Sequence, residues 1–350
     1  MTEITKRLID TLKDKRSLTE EEYLTLVEGY TPEAASYAAS LALSEKQRIY
    51  GDSVFIRGLI EISNVCKNDC NYCGIRKSNK NCSRYRLSED EILACCRHGY
   101  GLGFRTFVLQ GGEDGYFTDG VLIPLIKSIK KEFPDCALTL SLGERSRESY
   151  EALFKAGADR YLLRHETATK EHYESLHPKS LSFENRMSCL KILKEIGYQT
   201  GCGFMVGSPG QRLRHIARDL KFIEEFSPHM CGIGPFIPHK DTEYRDEKAG
   251  SVEFTCYLLS LIRLIKPSIL LPATTALGTL LDDGRERGIL AGANVVMPNL
   301  SPEDAKAKYT LYDNKLTKGA ESAEALDELK RRLSAIGAEV VIARGDMASQ

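Results

Sequence analysis

From residue 53 onward the apolar positions of this chain switch repeatedly between two periods. Short runs with the alternation of a strand, such as "SVFIRGLIEIS" at 53–63, are followed by stretches whose apolar residues recur every three or four positions. The strand-like runs are 53–63, 105–110, 137–142, 159–164, 200–206, 230–236, 268–273 and 293–298. Between them stand amphipathic helical patterns, among them "DGVLIPLIKSIKKEF", "SRESYEALFKAG" and "LRHIARDLKFIEEF". Ser88 and Glu91 mark one helix start, with Leu87 and Ile92 spaced as a hydrophobic staple. The first fifty residues read as helices alone, with start signals at Thr19/Glu22 and at Thr31/Pro32. Repeated βα units imply a parallel sheet of the α/β class, and eight of them predict closure into a (β/α)8 TIM-type barrel. A doubly wound open sheet is the alternative the pattern leaves open. The predicted organisation is a helical segment at 1–50, the barrel at 51–312, and a C-terminal helix and tail at 313–350.

Composition narrows the function classes. The chain has 350 residues and a formal net charge of −1, with Lys and Arg scattered, so it lacks the basic face of a nucleic-acid binder. No apolar run is long enough for a bilayer, and the charged N-terminus lacks a signal-peptide core. The expectation is a cytoplasmic protein with reduced thiols and no membrane or nucleic-acid partner. Seven of the 11 cysteines read as core filler: Cys95, Cys96, Cys136, Cys189, Cys202, Cys231 and Cys256. Cys66, Cys70 and Cys73 do not, because their neighbours Lys67, Asn68, Asp69 and Asn71 describe an exposed loop. That loop directly follows the first strand, on the face of a barrel where chemistry is found.

The chemistry of three clustered thiols has few readings. Structural zinc asks for four ligands, and only the distant Cys82 is on offer. A redox dithiol leaves one cysteine unexplained. Three thiolates would bind three irons of a 4Fe-4S cluster and leave the fourth iron open to a small molecule. The spacing Cys66-x3-Cys70-x2-Cys73, with Tyr72 before the last cysteine, resembles the signature of radical S-adenosylmethionine (SAM) enzymes. The resemblance implies that SAM binds the open iron and is cleaved on reduction to methionine and a 5′-deoxyadenosyl radical.

Other segments fill out this picture. In "LQGGEDGYF", Gly111 and Gly112 permit close backbone approach and Glu113 can accept from an ammonium; the same position in the radical SAM pattern receives the SAM amino group. In "DRYLLRHETA", Arg160, Arg164 and Glu166 alternate along one strand, and a ligand site is favoured there over a buried ion-pair network. Arg186 offers a fork suited to a SAM carboxylate. The hydroxyls of Thr139, Ser141, Thr274 and Thr275 are candidates for an anionic substrate, with Arg164 as charge partner. His239 reads as structural.

"YCGIRKSNKNCSRYRLS", "LSLGE", "DRYLLRHETA", "LSFENR", "GIGPFIPH", "PATTALGT" and "GANVVMPN" together resemble one branch of that superfamily, the HydE maturases of FeFe-hydrogenase, from about residue 50 to 312. Biotin synthase and methylornithine synthase are relatives with the same architecture. The resemblance implies SAM contacts at Tyr72, Gly112, Glu113, Glu166, Arg186, Met297 and Tyr309. It implies a substrate cavity lined by Thr139, Ser141, Arg164, Thr274, Thr275 and Tyr312. It further implies a small-molecule or organometallic substrate, an electron donor such as a ferredoxin or flavodoxin, and other hydrogenase maturases as partners. Some members carry a second, C-terminal cluster; here no cysteine follows Cys256, so one 4Fe-4S cluster is expected. Gly111 stands where some members have serine. The competing readings are a radical SAM mutase or synthase acting on a small amino acid, and a zinc-binding protein without turnover.

Overall fold

A computed structural model describes residues 1–316 and 323–348. It begins with three helices, α1 (Glu3–Lys15), α2 (Glu20–Glu28) and α3 (Pro32–Tyr50). The expected start signals are used: Thr19 N donates to Glu22 Oε2 at 2.8 Å, Glu22 N donates to Thr19 Oγ1 at 3.2 Å, and Thr31 caps α3. α3 packs along the nearly enclosed helix Val252–Ile265, so this segment buttresses the flank of the barrel.

The strands are β1 (Ser53–Ile56), β2 (Gly58–Ser63), β3 (Thr106–Gly111), β4 (Ala137–Ser141), β5 (Arg160–Leu162), β6 (Gln199–Cys202), β7 (Met205–Val206), β8 (Met230–Cys231), β9 (Gly234–Pro235), β10 (Val295–Val296) and β11 (Glu339–Val341). β2, β3, β4, β5, β6 and β8 form one parallel sheet in that order. Single parallel bridges complete a ring, from Met230 to Leu270, Pro272 to Val295, and Leu59 to Asn299. The eight expected segments therefore close into a barrel, and the open sheet is excluded.

Three expected strands are interrupted. The break at Arg57 marks a change of partner, since β1 pairs with β11 and β2 with β3. Register to the other side continues through it, with Phe55 opposite Val295 and Leu59 opposite Asn299. Beyond Cys202 and Cys231 the strands resume as β7 and β9, which pair with each other. Ile60, Ile62, Leu109 and Leu140 face the helix-packed core. By the alternation of a strand, Glu61, Gln110 and Ser141 face the lumen near its C-terminal mouth.

The C-terminal extension differs from the expected helix and tail. After helix Leu326–Ser334 the short apolar run is a strand, β11, with Val340 opposite Val54 on the edge of β1 that β2 leaves open. The expected helix start at 320–322 lies outside the described residues. The chain then turns beneath the barrel, at its N-terminal end. Arg160, fully buried, donates from Nη2 to Asp346 Oδ1 at 2.5 Å and Arg344 O at 2.9 Å, and from Nη1 to Thr106 Oγ1 at 3.0 Å. Arg57 reaches Gly345 O at 3.4 Å. This corrects the grouping of Arg160 with Arg164 and Glu166 as one ligand site. The strand ends at Leu162, before Arg164 and Glu166, and Arg160 enters at its first residue and meets the floor, not the mouth.

Asp346→Asn is expected to cost about 3 kcal/mol, because it strands a buried guanidinium. Burial raises the Asp346 carboxyl, but Arg160, Arg344 and Gln199 outweigh it and hold it well below the usual carboxylate range. A depressed folded-state carboxyl contributes stability that is full above the unfolded value, about 4, and lost only as pH falls toward the folded one. Melting temperatures at pH 7 and pH 3 check this: the gap between wild type and variant should be full at pH 7 and narrower, but still present, at pH 3.

Candidate active site

The loop after β2 is held by side chains where secondary structure ends. Arg84 donates to the carbonyls of Asn64, Ile75, Arg76 and Asn79. Asn64 Nδ2 reaches Ser83 O and Lys308 O, both at 2.8 Å, while its Oδ1 accepts from Tyr85 N. Asp69 ties Arg76 and Ser78 together. Several backbone groups of an irregular loop are thus satisfied and the loop is held in one form.

Cys66, Cys70 and Cys73 are each half-buried and unbridged. Burial, and then the charge of the neighbouring cysteines, pushes the Cys70 thiol well above its ordinary value and that of Cys73 to about 12. Three free thiolates are unfavourable here without a cation to compensate them, and metal loading would release their protons. Among the described residues no three His, Cys, Asp or Glu side chains close on a single ion. Three thiols on one loop fall one ligand short of tetrahedral zinc and match the three-thiolate set of a 4Fe-4S cluster with one open iron. The Cys82 sulfur lies 3.5 Å from Asn64 Nδ2. Of the seven filler cysteines, all but the half-buried Cys256 are fully buried.

Gly112 brings β3's end against this loop: a Cβ there would lie 2.3 Å from Val65 O and 2.7 Å from Cys66 Cβ. Glu113 follows, its Oε1 accepting from Glu144 N at 3.1 Å and its Oε2 3.2 Å from Lys67 Nζ. Glu113 O accepts from Lys67 N, tying the two loops together. Tyr72 packs with Leu176, Met205 and Phe236 and lies 3.2 Å from His177 Nε2. His177 Nδ1 must donate to Tyr173 O at 2.8 Å, so Nε2 accepts and the Tyr72 hydroxyl donates. Burial holds this histidine neutral, with its pKa lowered to about 3.

Glu166 adopts φ +64°, a left-handed backbone for a non-glycine residue. Its N–H donates to Gly203 O at 3.0 Å, and behind it the fully buried His165 and Asp219 lie 3.3 Å apart. Its Oε2 sits 3.3 Å from Arg164 Nη2, yet neither atom has a hydrogen bond: the charges pair without alignment. Arg186 donates from Nε to Glu144 Oε1 and from Nη1 to Arg164 O, both at 2.6 Å. Two of the donors expected to clasp a carboxylate are therefore already engaged. Relative to Glu166→Ala, Glu166→Gly should be more stable by about 1 kcal/mol, since both remove the carboxylate but only glycine relieves the backbone. Equal melting temperatures for the two variants would contradict this.

These side chains form one electrostatic group. Cys70 feels Arg186 and Glu166, Tyr72 feels Glu166 and Cys73, and Tyr309 feels Cys73. Tyr309 is buried, its hydroxyl 3.4 Å from Gln110 Nε2. The remaining candidates lie further off. Thr139 Oγ1 and Thr274 Oγ1 are buried with no hydrogen-bond partner, as are Arg164 Nε and Nη2. Ser141 is half-buried at the end of β4, opposite Gln110. Met297 packs toward Met230, Leu270 and Val295, deeper than the mouth. Thr275 opens helix Thr275–Leu280, and Tyr312 is half-buried beyond the barrel. Orphaned hydroxyls and guanidinium donors beside a three-thiol loop fit a site that takes a polar cofactor and a polar substrate.

The sequence reading passed over Arg84, Asn64, Glu61 and Lys315. Glu61 carried a signal, a lone acid inside the apolar run of the first strand. His239, set aside as structural, packs on Gly74 next to Cys73.

The radical SAM superfamily profile matches residues 60–223. FeFe hydrogenase maturase subunit HydE of Thermotoga maritima is 48% identical over 276 residues, covering 79% of this chain and 78% of that protein. The 3-methylornithine synthase of Methanosarcina acetivorans is 28% identical over 85% of this chain and 83% of its own. A crystal structure of methylornithine synthase superposes with a TM-score of 0.83 at 26% identity, covering 95% of this chain and 97% of that one. The maturase HydG superposes at 0.81 but at 20% identity, which speaks for the fold alone. This chain is a radical SAM enzyme and belongs to the HydE family.

Proposed function

We propose that this enzyme acts in maturation of FeFe-hydrogenase, in assembly of the diiron subcluster of its active site. The observation that carries the reading is the loop of free, half-buried Cys66, Cys70 and Cys73 in a chain 48% identical to HydE. These thiols would hold one 4Fe-4S cluster, and no second cluster is expected, because no cysteine follows Cys256. Part of the stretch concerned, 317–322, lies outside the described residues. With SAM bound, the cluster supplies one-electron reductive cleavage that yields methionine and a 5′-deoxyadenosyl radical.

The chain's own residues bind, orient and exclude water. Gly112 and Glu113 would meet the SAM ammonium, Arg186 its carboxylate, and Tyr72, Glu166, Met297 and Tyr309 the rest of the molecule. Glu113 and Glu166 each keep a buried carboxylate oxygen without a hydrogen bond. Arg164, Thr139 and Thr274, with unmatched donors, would hold an anionic organometallic substrate, alongside Ser141, Thr275 and Tyr312. A cytoplasmic ferredoxin or flavodoxin would supply the electron, and other maturases would share the pathway. No helix is long and apolar enough to cross a membrane among the described residues.

The test is hydrogenase activation in an anaerobic maturation mixture where this protein, reconstituted with iron and sulfide, replaces the native HydE. Hydrogen evolution is the expected result. SAM cleavage without activation would keep the radical chemistry and move the substrate to small amino acids, as the likeness to methylornithine synthase would then suggest.

A further inference from the structure

Residues 308–315 follow helix Glu303–Lys308 and straddle the predicted boundary between barrel and C-terminal extension. They brace the cysteine loop from outside. Gly74, next after Cys73, donates its N–H to Leu311 O at 2.9 Å, and a Cβ on Gly74 would lie 2.1 Å from Thr310 O. On the other flank of the loop, Asn64 holds Lys308 O. Outward, Asp313 N donates to Pro238 O at 3.0 Å, and Asp313 Oδ2 accepts from Lys240 N at 2.8 Å.

A buried ion pair fixes this segment to the barrel. Lys315 Nζ lies 2.5 Å from Glu61 Oε1 and 3.1 Å from Tyr309 O, with the Tyr309 ring centre 4.8 Å away. The second Glu61 oxygen accepts from Asn299 Nδ2 at 2.9 Å. Glu61 is fully buried, and the Lys315 side chain is 7% exposed. Ion pairs in such surroundings add little net stability over apolar residues of like volume, and their best-attested use is fixing register. Here the register fixed is that of a strap carrying Tyr309 on one side and bracing Gly74 on the other.

We propose that Glu61 and Lys315 are positioning residues: their pairing clamps 308–315 across the mouth and thereby holds the cysteine loop in its cluster-binding form. The inference rests on the reading of Cys66, Cys70 and Cys73 as cluster ligands. The test uses the double variant Glu61→Gln/Lys315→Met, which leaves no unpaired buried charge. In the apo form, tryptic cleavage after Lys308 under native conditions should quicken. In the reconstituted form, a ferrous chelator should strip iron about tenfold faster than from wild type, in line with losses seen when ligand-supporting partners are removed. Wild-type cleavage, or faster cleavage with wild-type iron retention, would overturn the proposal. Should the double variant fail to fold, Asp313→Ala releases the outer hook of the strap at the surface and must shift both readouts in the same direction. Reconstituted wild type that holds no iron would remove the cluster reading itself and this inference with it.

Discussion

Cys70→Ala should abolish reductive SAM cleavage while leaving the protein folded. The thiol is one of three proposed iron ligands, and its removal opens a second iron of the cluster to solvent. Loss of a ligand exceeds the tenfold to hundredfold effects typical of outer partners, so a fall of more than about a hundredfold is expected. Stability should change little, because Cys70 is only half-buried and the loop is held by Arg84, Asn64 and Asp69. Cys82→Ala, the control, should keep its iron and its activity, since a three-thiolate cluster needs no fourth cysteine. Iron and sulfide content, the spectrum of the reduced cluster, and 5′-deoxyadenosine formation read the outcome. A Cys70→Ala protein that still cleaves SAM would sink the three-thiol assignment; a Cys82→Ala protein that loses its metal would revive a four-ligand zinc site.

Gly112→Ala is the second large effect, and it acts through backbone. The new methyl would sit 2.3 Å from Val65 O and 2.7 Å from Cys66 Cβ, so either β3's end or the first cysteine must move. Overpacking of this kind costs about 1–3 kcal/mol, and the shift falls on a proposed cluster ligand. Cluster uptake should fail although the melt remains cooperative. The neighbouring Gly111 provides the contrast. A Cβ there meets Ser63 O at 3.2 Å and Ile62 Cγ1 at 3.5 Å, contacts that small adjustments relieve. Gly111→Ala, or Gly111→Ser, should reconstitute much as wild type does. Equal behaviour of the two alanine variants would show that close approach at Gly112 is not what places Cys66.

The barrel was legible because every βα unit carries its period in the sequence, and the cysteine loop because three thiols among Lys67, Asn68 and Asp69 do not suit a core. What stayed hidden depends on the third dimension. Arg160 and Arg164 look alike in sequence, yet the strand ends at Leu162: Arg160 lies at its foot and meets the floor of the barrel, while Arg164 stands past its C-terminal end. β11 is three residues long and gains its identity only from the vacant edge of β1. Lys315 lies in a polar stretch with no periodic signal, and its partner is Glu61, on the first strand. Arg186 was legible as a site residue but not as one already committed to Glu144 and Arg164 O.

The pairing of β1 with both β10 and β11 has a consequence for how the protein is made. The cysteine loop leaves the ribosome before its partners do. The edge that closes the ring, the backbone at Leu311 that meets Gly74, and the Asp346 that neutralises Arg160 all leave it long after the loop. At about 5–20 residues per second the loop waits on the order of tens of seconds for these partners. Contacts of such long sequence separation also make folding intrinsically slow. Its thiols therefore spend their first moments outside a finished barrel, on a loop not yet braced at Gly74.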